Sequence, residues 1–294
     1  MKNITIALLF LFTMVSCEEV VTPNLEIGDT RLVIEAKAER VFSPSGETED
    51  IAEVILSTTN GFFDNSINFV NNAIVTLTNL ETQNTYNLRI TPNEGHYILE
   101  PNQNFVLENE TEYLLNVDHD GETYQSTASL NVSVPIDNIF QFREDASFFD
   151  PEDVAINVTF TDLEEDGSHY IISFDNYDFI SIDDEFISDT NRQFNFDYFY
   201  ENPKFPTSTV YILGSDSRTN TYIDNVLEVS GGGANGPFST VPFEVRGNIQ
   251  NITTPENNPF GYFRVNELYQ TQIDLVPNEE AFSLEQLQQL EAQN

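Results

Sequence analysis

The stretch from residue 113 to residue 127, YLLNVDHDGETYQST, decides the fold class of this chain. Two short apolar-rich runs, Tyr113–Val117 and Thr123–Thr127, lie on either side of Asp120-Gly121. An Asp-Gly pair between such runs is a strong signal of a β-hairpin, because both residue types accept the positive φ angles of a tight turn. The stretch therefore predicts two antiparallel strands.

Further strand patterns precede this hairpin, separated by turn residues. About seven short strands over roughly 100 residues are typical of an immunoglobulin-like β-sandwich, which we predict for residues 31–134. The chain has no tryptophan and a single cysteine, so a true immunoglobulin domain is excluded. The remaining predicted strands of this half contain Leu32–Ala38, Ile51–Ser57, Ala73–Thr78, Tyr86–Ile90 and His96–Leu99.

The second half is also rich in strand patterns and predicts a second β-rich domain over residues 135–277. The boundary is placed at Pro135, since proline cannot donate a hydrogen bond to a central strand. Residues 176–206 are acidic and aromatic and are interpreted as a long excursion or an extra hairpin. The predicted strands are Val154–Phe160, Tyr170–Phe174, Thr209–Leu213, Phe243–Val245, Tyr262–Val265 and Gln272–Leu275.

One segment of the second half has helical spacing. Between Ser217 and Val229 the apolar side chains recur every three or four residues, with Asp216 or Ser217 available to cap the start. The glycine run 231–233 predicts the end of this helix. Residues 278–294 predict a tail with a short helix, because Ser283 and Gln286 have the spacing of a capping box.

The start of the chain predicts export and lipid attachment. Residues 1–16 combine an early lysine, a short apolar run and small residues, which is the order of a secretion signal. The apolar run is shorter than the roughly 18 residues of a membrane-spanning helix. Met14-Val15-Ser16-Cys17 resembles a bacterial lipobox, which implies acylation of Cys17 and cleavage just before it. The alternative is a leader cleaved elsewhere, with Cys17 incidental.

Residues 17–30 are predicted to form a tether, which begins with an acidic pair. Glu18 and Glu19 directly follow the cysteine and resemble the surface-export signal of Bacteroidota lipoproteins. The alternative is chance, because the chain contains 49 acidic residues. The net charge of -38 argues against nucleic-acid binding, which needs basic side chains against phosphate. It also opposes contact with anionic lipid head groups, so the acyl chains must provide the anchor.

Candidate metal sites are weak. Asp162–Gly167 has the carboxylate and glycine spacing of a calcium loop, but the twelfth position would be Ser173 instead of a glutamate. We interpret it as a solvated hairpin turn, and the acidic run 183–185 has the same ambiguity. His96, His119 and His169 are not at ligand spacing, so no metal site is predicted.

Catalytic motifs are also missing from the sequence. There is no serine-hydrolase elbow, and the glycine run 231–233 lacks the lysine of a phosphate-binding loop. A glycosidase carboxylate pair cannot be chosen among so many acidic residues. The aromatic cluster over residues 194–200 is predicted to be core in preference to a ligand-binding surface. It consists of Phe194, Phe196, Tyr198, Phe199 and Tyr200. We therefore predict no enzyme and no cofactor.

A set of segments in a characteristic order carries a family resemblance. The segments are Cys17-Glu18-Glu19, Leu32–Ala36, Asn72–Leu77, Glu112–Val117, Gly121–Tyr124, Val134–Asp137, Pro242-Phe243, Gly247–Ile249 and Phe260–Phe263. Together they resemble the Bacteroidota lipoprotein family DUF4249, a domain of unknown function. The resemblance covers nearly the whole chain after the predicted leader and defines no catalytic residues.

Members of this family are often encoded beside TonB-dependent outer-membrane receptors, which implies an accessory role in uptake. We therefore expect a lipid-anchored outer-membrane protein that faces the cell exterior and captures substrate with such a receptor. The alternative is a structural or adhesive surface protein with no transport role.

Overall fold

The structure is a computed structural model that describes most of the chain after its first 27 residues. The predicted leader, Cys17, Glu18 and Glu19 therefore lie outside the described residues. The described residues are 28–61, 64, 66–101, 103–145, 153–163, 167–175, 178–183, 192–200, 203, 206–230 and 243–291.

Strands dominate the described chain, which confirms the prediction of a mainly β protein. The strands before residue 145 are β1 Leu32–Phe42, β2 Thr48–Thr58, β3 Asn68–Phe69, β4 Ile74–Asn79, β5 Thr85–Ile90, β6 His96–Leu99, β7 Glu112–His119, β8 Glu122–Asn131 and β9 Ile136–Phe142. After it come β10 Val154–Thr161, β11 His169–Phe174, β12 Asp178–Ile182, β13 Gln193–Tyr200, β14 Thr207–Ser215, helix α1 Ser217–Ser230, β15 Gln250–Asn251, β16 Phe260–Asp274, a 3-10 turn Asn278–Glu280 and helix α2 Leu284–Glu291.

The predicted sandwich of the first half is not confirmed, because its strands close into an eight-stranded barrel. Around the ring the order is β16, β1, β2, β6, β5, β4, β7 and β8, and β8 pairs again with β16. The closing strand β16 comes from the last part of the chain and pairs antiparallel with β14 outside the barrel. Within the barrel it runs parallel to both of its neighbours, β1 and β8. Sequence patterns of the first half alone do not reveal this partner, since it lies more than 100 residues away along the chain.

Strand β16 belongs to two buried cores. It is one strand of 15 residues, where the sequence predicted two short strands. Phe263 and Val265 pack inside the barrel, whereas Ile273 packs with a second core built mostly from residues 134–212. In that second core the sheet β9–β10–β13 covers β11 and β14. The predicted boundary at Pro135 thus separates the cores along most of the chain, but the last long strand contributes to both.

Two glycines allow the closing strand to approach its neighbours. Gly261 has a φ of +97°, and a Cβ there would lie 2.0 Å from the Ile34 carbonyl oxygen. A Cβ on Gly247 would lie 1.6 Å from the Gly261 carbonyl oxygen. Both distances are impossible for a side-chain carbon, so only glycine permits this backbone contact.

Other local predictions have mixed outcomes. The hairpin of β7 and β8 is confirmed, with positive φ at Asp120 and Gly121. The tail helix is confirmed together with its capping box, in which Ser283 and Gln286 exchange hydrogen bonds. The strand predicted at residues 243–245 is wrong, since these residues form no strand. The segment 176–206 contains β12 and β13, which pair with different sheets instead of with each other.

Candidate functional site

A groove between helix α1 and the outside of the barrel is the candidate site. Residues along a strand alternate between its two faces, so Ala36 and Ala38 of β1 point into the barrel core and Glu35 and Lys37 point outward. Helix α1 lies over this outer face. The cavity between them has a volume of about 400 Å³. Its wall on the helix side is formed by Tyr222, Ile223 and Val226.

The helix that forms the wall is firmly attached at its start. Asp216 caps it by accepting hydrogen bonds from the Thr219 backbone N–H at 2.7 Å and from the Thr219 hydroxyl at 2.8 Å. Asn220 is buried and donates to the Ile182 carbonyl at 3.2 Å and to Asp183 Oδ1 at 2.8 Å. These contacts fix the helix against β12 and confirm that Asp216 is its cap.

Two tyrosines join the helix to the barrel. The rings of Tyr222 on α1 and Tyr262 on β16 are stacked, with centroids 4.5 Å apart. The Tyr262 hydroxyl lies 3.2 Å from the Thr219 hydroxyl, within hydrogen-bond distance. Both rings border the cavity, so one end of the groove is aromatic.

The other end of the groove carries an outer charged cluster, which consists of Lys37, Glu39, Glu53 and Arg264. Lys37 Nζ lies 2.9 Å from Glu39 Oε2 and 3.2 Å from Glu53 Oε2. Arg264 Nη1 lies 2.5 Å from Glu39 Oε1. Glu53 also contacts the His96 ring. Each cation of the cluster therefore already has a carboxylate partner.

Glu39 lies at the bottom of the outer cluster, with a side chain only 2% exposed. Burial by itself raises the pKa of this carboxyl group. The charges of Arg264 and Lys37 and their hydrogen bonds outweigh burial and lower the pKa of Glu39 to about 2. The group is therefore ionised at neutral pH.

Glu35 differs from the other carboxylates of the groove. It is exposed, and its side chain has no hydrogen bond or ion pair with any residue that the structure describes. The pKa of the Tyr222 hydroxyl is raised, first by burial and second by the negative charge of Glu35. Among the residues that the structure describes, Glu35 is thus the carboxylate without a bonding partner beside the aromatic end of the groove.

A second, inner charged cluster lies at one end of the barrel and consists of Arg40, Asp50 and Glu267. Arg40 Nε lies 3.0 Å from Asp50 Oδ1, and Arg40 Nη1 lies 3.5 Å from Glu267 Oε1. Asp50 Oδ2 accepts the Leu107 backbone N–H at 2.7 Å, and Glu267 Oε2 accepts that of Ser133 at 3.1 Å. The hydrogen bond to Asp50 raises the pKa of Arg40. This cluster attaches loops to the barrel and does not line the groove beside α1.

The calcium-like loop is only partly described, since residues 164–166 lie outside the described chain. The carboxylate of Asp162 accepts the Tyr170 hydroxyl at 2.7 Å and lies 3.7 Å from Arg192 Nη2. Ser173, at the twelfth position, is buried in β11. Across the described ranges, no three His, Cys, Asp or Glu side chains group in a way that could hold a metal ion.

The three histidines and the acidic run have separate surroundings. His96 contacts Glu53, His119 lies 3.4 Å from Asp120, and His169 lies 3.6 Å from Asp183. Residues 184 and 185 of the acidic run lie outside the described chain. Of these metal candidates, His96 lies beside the groove through its contact with Glu53, whereas His119 and His169 contact carboxylates that do not line it.

The aromatic cluster of β13 is mostly core, as predicted. Phe194, Phe196 and Tyr198 pack against the second core, and Tyr200 is buried within it. Phe199 points to the opposite face and is 42% exposed. The cluster is therefore separate from the groove beside α1.

Sequence reasoning missed the residues of the groove. The available signal was the run of charges at Glu35, Lys37 and Glu39, alternating with small apolar residues on one strand. Such a pattern indicates an ordinary solvated strand face until a second element is known to cover it. Helix α1 covers it here, and no sequence spacing links residues 35–39 to residues 217–230.

Three comparisons place the chain among known proteins. A family model described as "Domain of unknown function (DUF4249)" matches residues 18–268. No curated protein matches the chain. Among solved structures it is similar to a two fibronectin type-III domain segment from chicken tenascin, with 12% identity over 66% of this chain and 90% of that chain and a TM-score of 0.19. No helix within the described ranges is both long and apolar enough to cross a membrane.

Proposed function

The chain belongs to the DUF4249 family, and from this premise we propose that it is a lipid-anchored protein of the bacterial outer membrane that captures a small ligand for a TonB-dependent receptor. The observation that carries the capture role is the groove of about 400 Å³ between α1 and the barrel. Small-molecule sites have volumes of about 300–1,000 Å³ and combine mainly apolar walls with a few polar groups. In this proposal the protein binds its ligand without transforming it and is not an enzyme.

The lipid anchor in this proposal rests on Cys17. It is the only cysteine of the chain and directly follows a secretion-type leader. Exported proteins form disulfides readily, so a single thiol needs an explanation, and acylation supplies one. Glu18 and Glu19 then direct the protein to the outer surface of the cell.

The anchor is tested by replacing the thiol. Cys17→Ser removes the only acylation site, so we expect loss of labelled fatty acid and accumulation of uncut precursor. Labelling is followed in the producing bacterium with a clickable fatty acid, and precursor length by mass spectrometry. Normal labelling of the variant would remove the lipoprotein proposal.

The direction of export is tested at the acidic pair. Replacing Glu18 and Glu19 by Ala keeps the lipid but traps the protein on the periplasmic side of the membrane. Protease added to whole cells then cuts the wild type and spares this variant. The matched control is Glu47→Ala with Glu49→Ala, which removes the same charge from exposed positions outside the tether. Equal protease sensitivity of the two double variants contradicts the export signal.

The receptor partnership is tested by affinity purification from native membranes. We expect a TonB-dependent receptor to co-purify with the wild type and to be lost from the trapped Glu18/Glu19 variant. Cells that carry the Glu18/Glu19 variant should also grow more slowly when the nutrient is limiting. A receptor that is absent even from wild-type membranes contradicts the capture role and favours a structural or adhesive surface protein.

A further inference from the structure

We propose that the groove beside α1 selects ligands that carry one ammonium group on an apolar or aromatic body, with the ammonium held at Glu35 and the body against the helix. This inference deepens the proposed capture role and rests on it for its biological purpose. The binding chemistry itself is independent of any receptor.

The charge balance of the groove favours a cation. Lys37 bridges Glu39 and Glu53, and Arg264 contacts Glu39. The positive charges of these two basic side chains are therefore already neutralised by the protein. Glu35 is the carboxylate left over, without an ion pair or hydrogen bond among the described residues. A ligand ammonium would complete the set, because an opposite charge is the natural partner of a carboxylate beside an apolar wall.

The aromatic end of the groove favours the same charge. Tyr222 and Tyr262 both border the cavity next to Glu35. The face of a tyrosine ring attracts a cation within about 6 Å of its centroid. The two rings stack on each other, so each has only its outer face left for a cation. The carboxylate of Glu35 beside them favours an ammonium over a neutral alcohol, and it repels a ligand carboxylate.

The apolar wall requires a hydrophobic body on the ligand. The apolar side chains that line the cavity are Ile223 and Val226 of the helix, Ile55 of β2 and Phe179 of β12. A ligand that fills this space removes apolar surface from water at about 25 cal/mol per Å². Simple metal cations and small polar amines gain nothing from such a wall, which restricts the ligands to amphiphilic ones.

The charge of the whole chain acts in the same direction. The net charge of -38 creates a negative potential around the molecule. Such a potential raises the local concentration of cations and slows the approach of anions. An anionic ligand would have to overcome this potential and the charge of Glu35 together.

The test uses three probes that share an indole body and differ in charge, which are tryptamine, tryptophol and indoleacetate. Binding to the purified full chain is measured by calorimetric titration at neutral pH. We expect tryptamine to bind about tenfold more tightly than tryptophol, since a hydrogen bond to a charged group adds to the apolar contact. Indoleacetate is expected to bind most weakly.

Two variants of one residue locate the charge preference. Glu35→Gln should reduce tryptamine affinity about tenfold and leave tryptophol affinity unchanged. Glu35→Lys should reverse the order, so that indoleacetate binds more tightly than tryptamine. Glu112→Gln is the matched control, because it removes an exposed carboxylate of β7 that does not line the groove. It should leave the affinities for all three probes within twofold of wild type.

Each outcome decides the inference. Equal wild-type affinity for tryptamine and tryptophol overturns the ammonium preference, and a lack of binding by all three overturns the groove as a ligand site. A preference that survives in Glu35→Gln shows that the cation binds elsewhere. Probe binding without a receptor in native membranes contradicts only the proposed capture role, whereas a receptor complex without probe binding contradicts only this inference.

Discussion

The inner and outer charged clusters are built on the same three strands, but they have different surroundings. Strands β1, β2 and β16 supply Arg40, Asp50 and Glu267 to the inner cluster. The same strands supply the outer cluster, with Lys37 and Glu39 from β1. The two inner carboxylates accept backbone N–H groups of neighbouring loops, whereas three of the four outer side chains line a cavity.

The difference teaches how a strand face acquires function. Inside the barrel, a charge is tolerated only if all its hydrogen bonds are made, because water cannot replace a missing partner. Outside, Glu39 is buried between its two cations, but Lys37 and Arg264 themselves are 32% and 27% exposed. Glu35 lies on the same face and is exposed to water, so it carries no large energetic penalty without a partner among the described residues. We therefore expect inner substitutions to alter mainly the stability, and Glu35 substitutions to alter mainly the binding.

The largest expected loss in the free energy of unfolding follows the replacement of Asp50. Asp50→Ala removes the nearer of the two carboxylate partners of Arg40 and the acceptor of the Leu107 N–H, in a site where the Asp50 side chain is only 9% exposed. Removing one partner of a buried ion pair costs about 3–5 kcal/mol of the free energy of unfolding. Urea denaturation measures this loss. The control Glu49→Ala, at the exposed neighbouring position, should stay within about 0.5 kcal/mol of wild type.

A loss below about 1 kcal/mol for Asp50→Ala would break the comparison. It would mean that the Arg40–Asp50 pair behaves like a surface ion pair and that water hydrates Arg40 in the variant.

The second effect is a pH dependence at Glu39. Its pKa is about 2 in the folded protein, against an ordinary value of 4.5. Its ionised form therefore stabilises the fold above pH 4.5, and this contribution is lost as the pH falls from 4.5 towards 2. Each pKa unit corresponds to about 1.4 kcal/mol, so Glu39→Gln should cost roughly 3 kcal/mol at neutral pH.

The measurement is the free energy of unfolding in urea at several pH values. The difference between wild type and Glu39→Gln should shrink as the pH approaches 2. The control is Glu47→Gln in the exposed turn between β1 and β2. A difference between wild type and Glu39→Gln that stays constant with pH would show that packing, and not charge, accounts for the loss.

A smaller effect is expected at the helix that makes the outer face a groove. Asp216→Ala removes the cap of α1, which costs about 1 kcal/mol of helix stability. Amide hydrogen exchange should become faster in α1 and remain unchanged in the strands of the barrel. Ser217→Ala is the control, because Asp216 accepts the capping bonds. Faster exchange throughout the barrel would mean that helix and barrel unfold as one unit.

The smallest effect on stability is expected at Glu35. Because this side chain is exposed and unpaired with any described residue, Glu35→Gln should change the free energy of unfolding by less than about 0.5 kcal/mol. The same variant should lose about tenfold in tryptamine affinity. A stability loss above about 1 kcal/mol would indicate that Glu35 belongs to the fold and not to the groove.

Local sequence patterns predicted individual elements well. The Asp120-Gly121 turn, helix α1 with its Asp216 cap and the Ser283 capping box are all present. Each of these elements depends on residues close together in the chain, so local backbone geometry determines whether it forms. The strand predicted at residues 243–245 is wrong, because apolar alternation alone does not supply a neighbouring strand to pair with.

The sequence by itself determined that this chain is a mainly β protein with a strong negative charge and a single cysteine. Only the tertiary structure decided that β16 closes a barrel with β1 and β8, and that α1 covers the charged face of β1. The physical reason is that turns and caps depend on residues a few positions apart. Barrel closure and the groove depend on contacts between segments more than 100 residues apart, which no local pattern records.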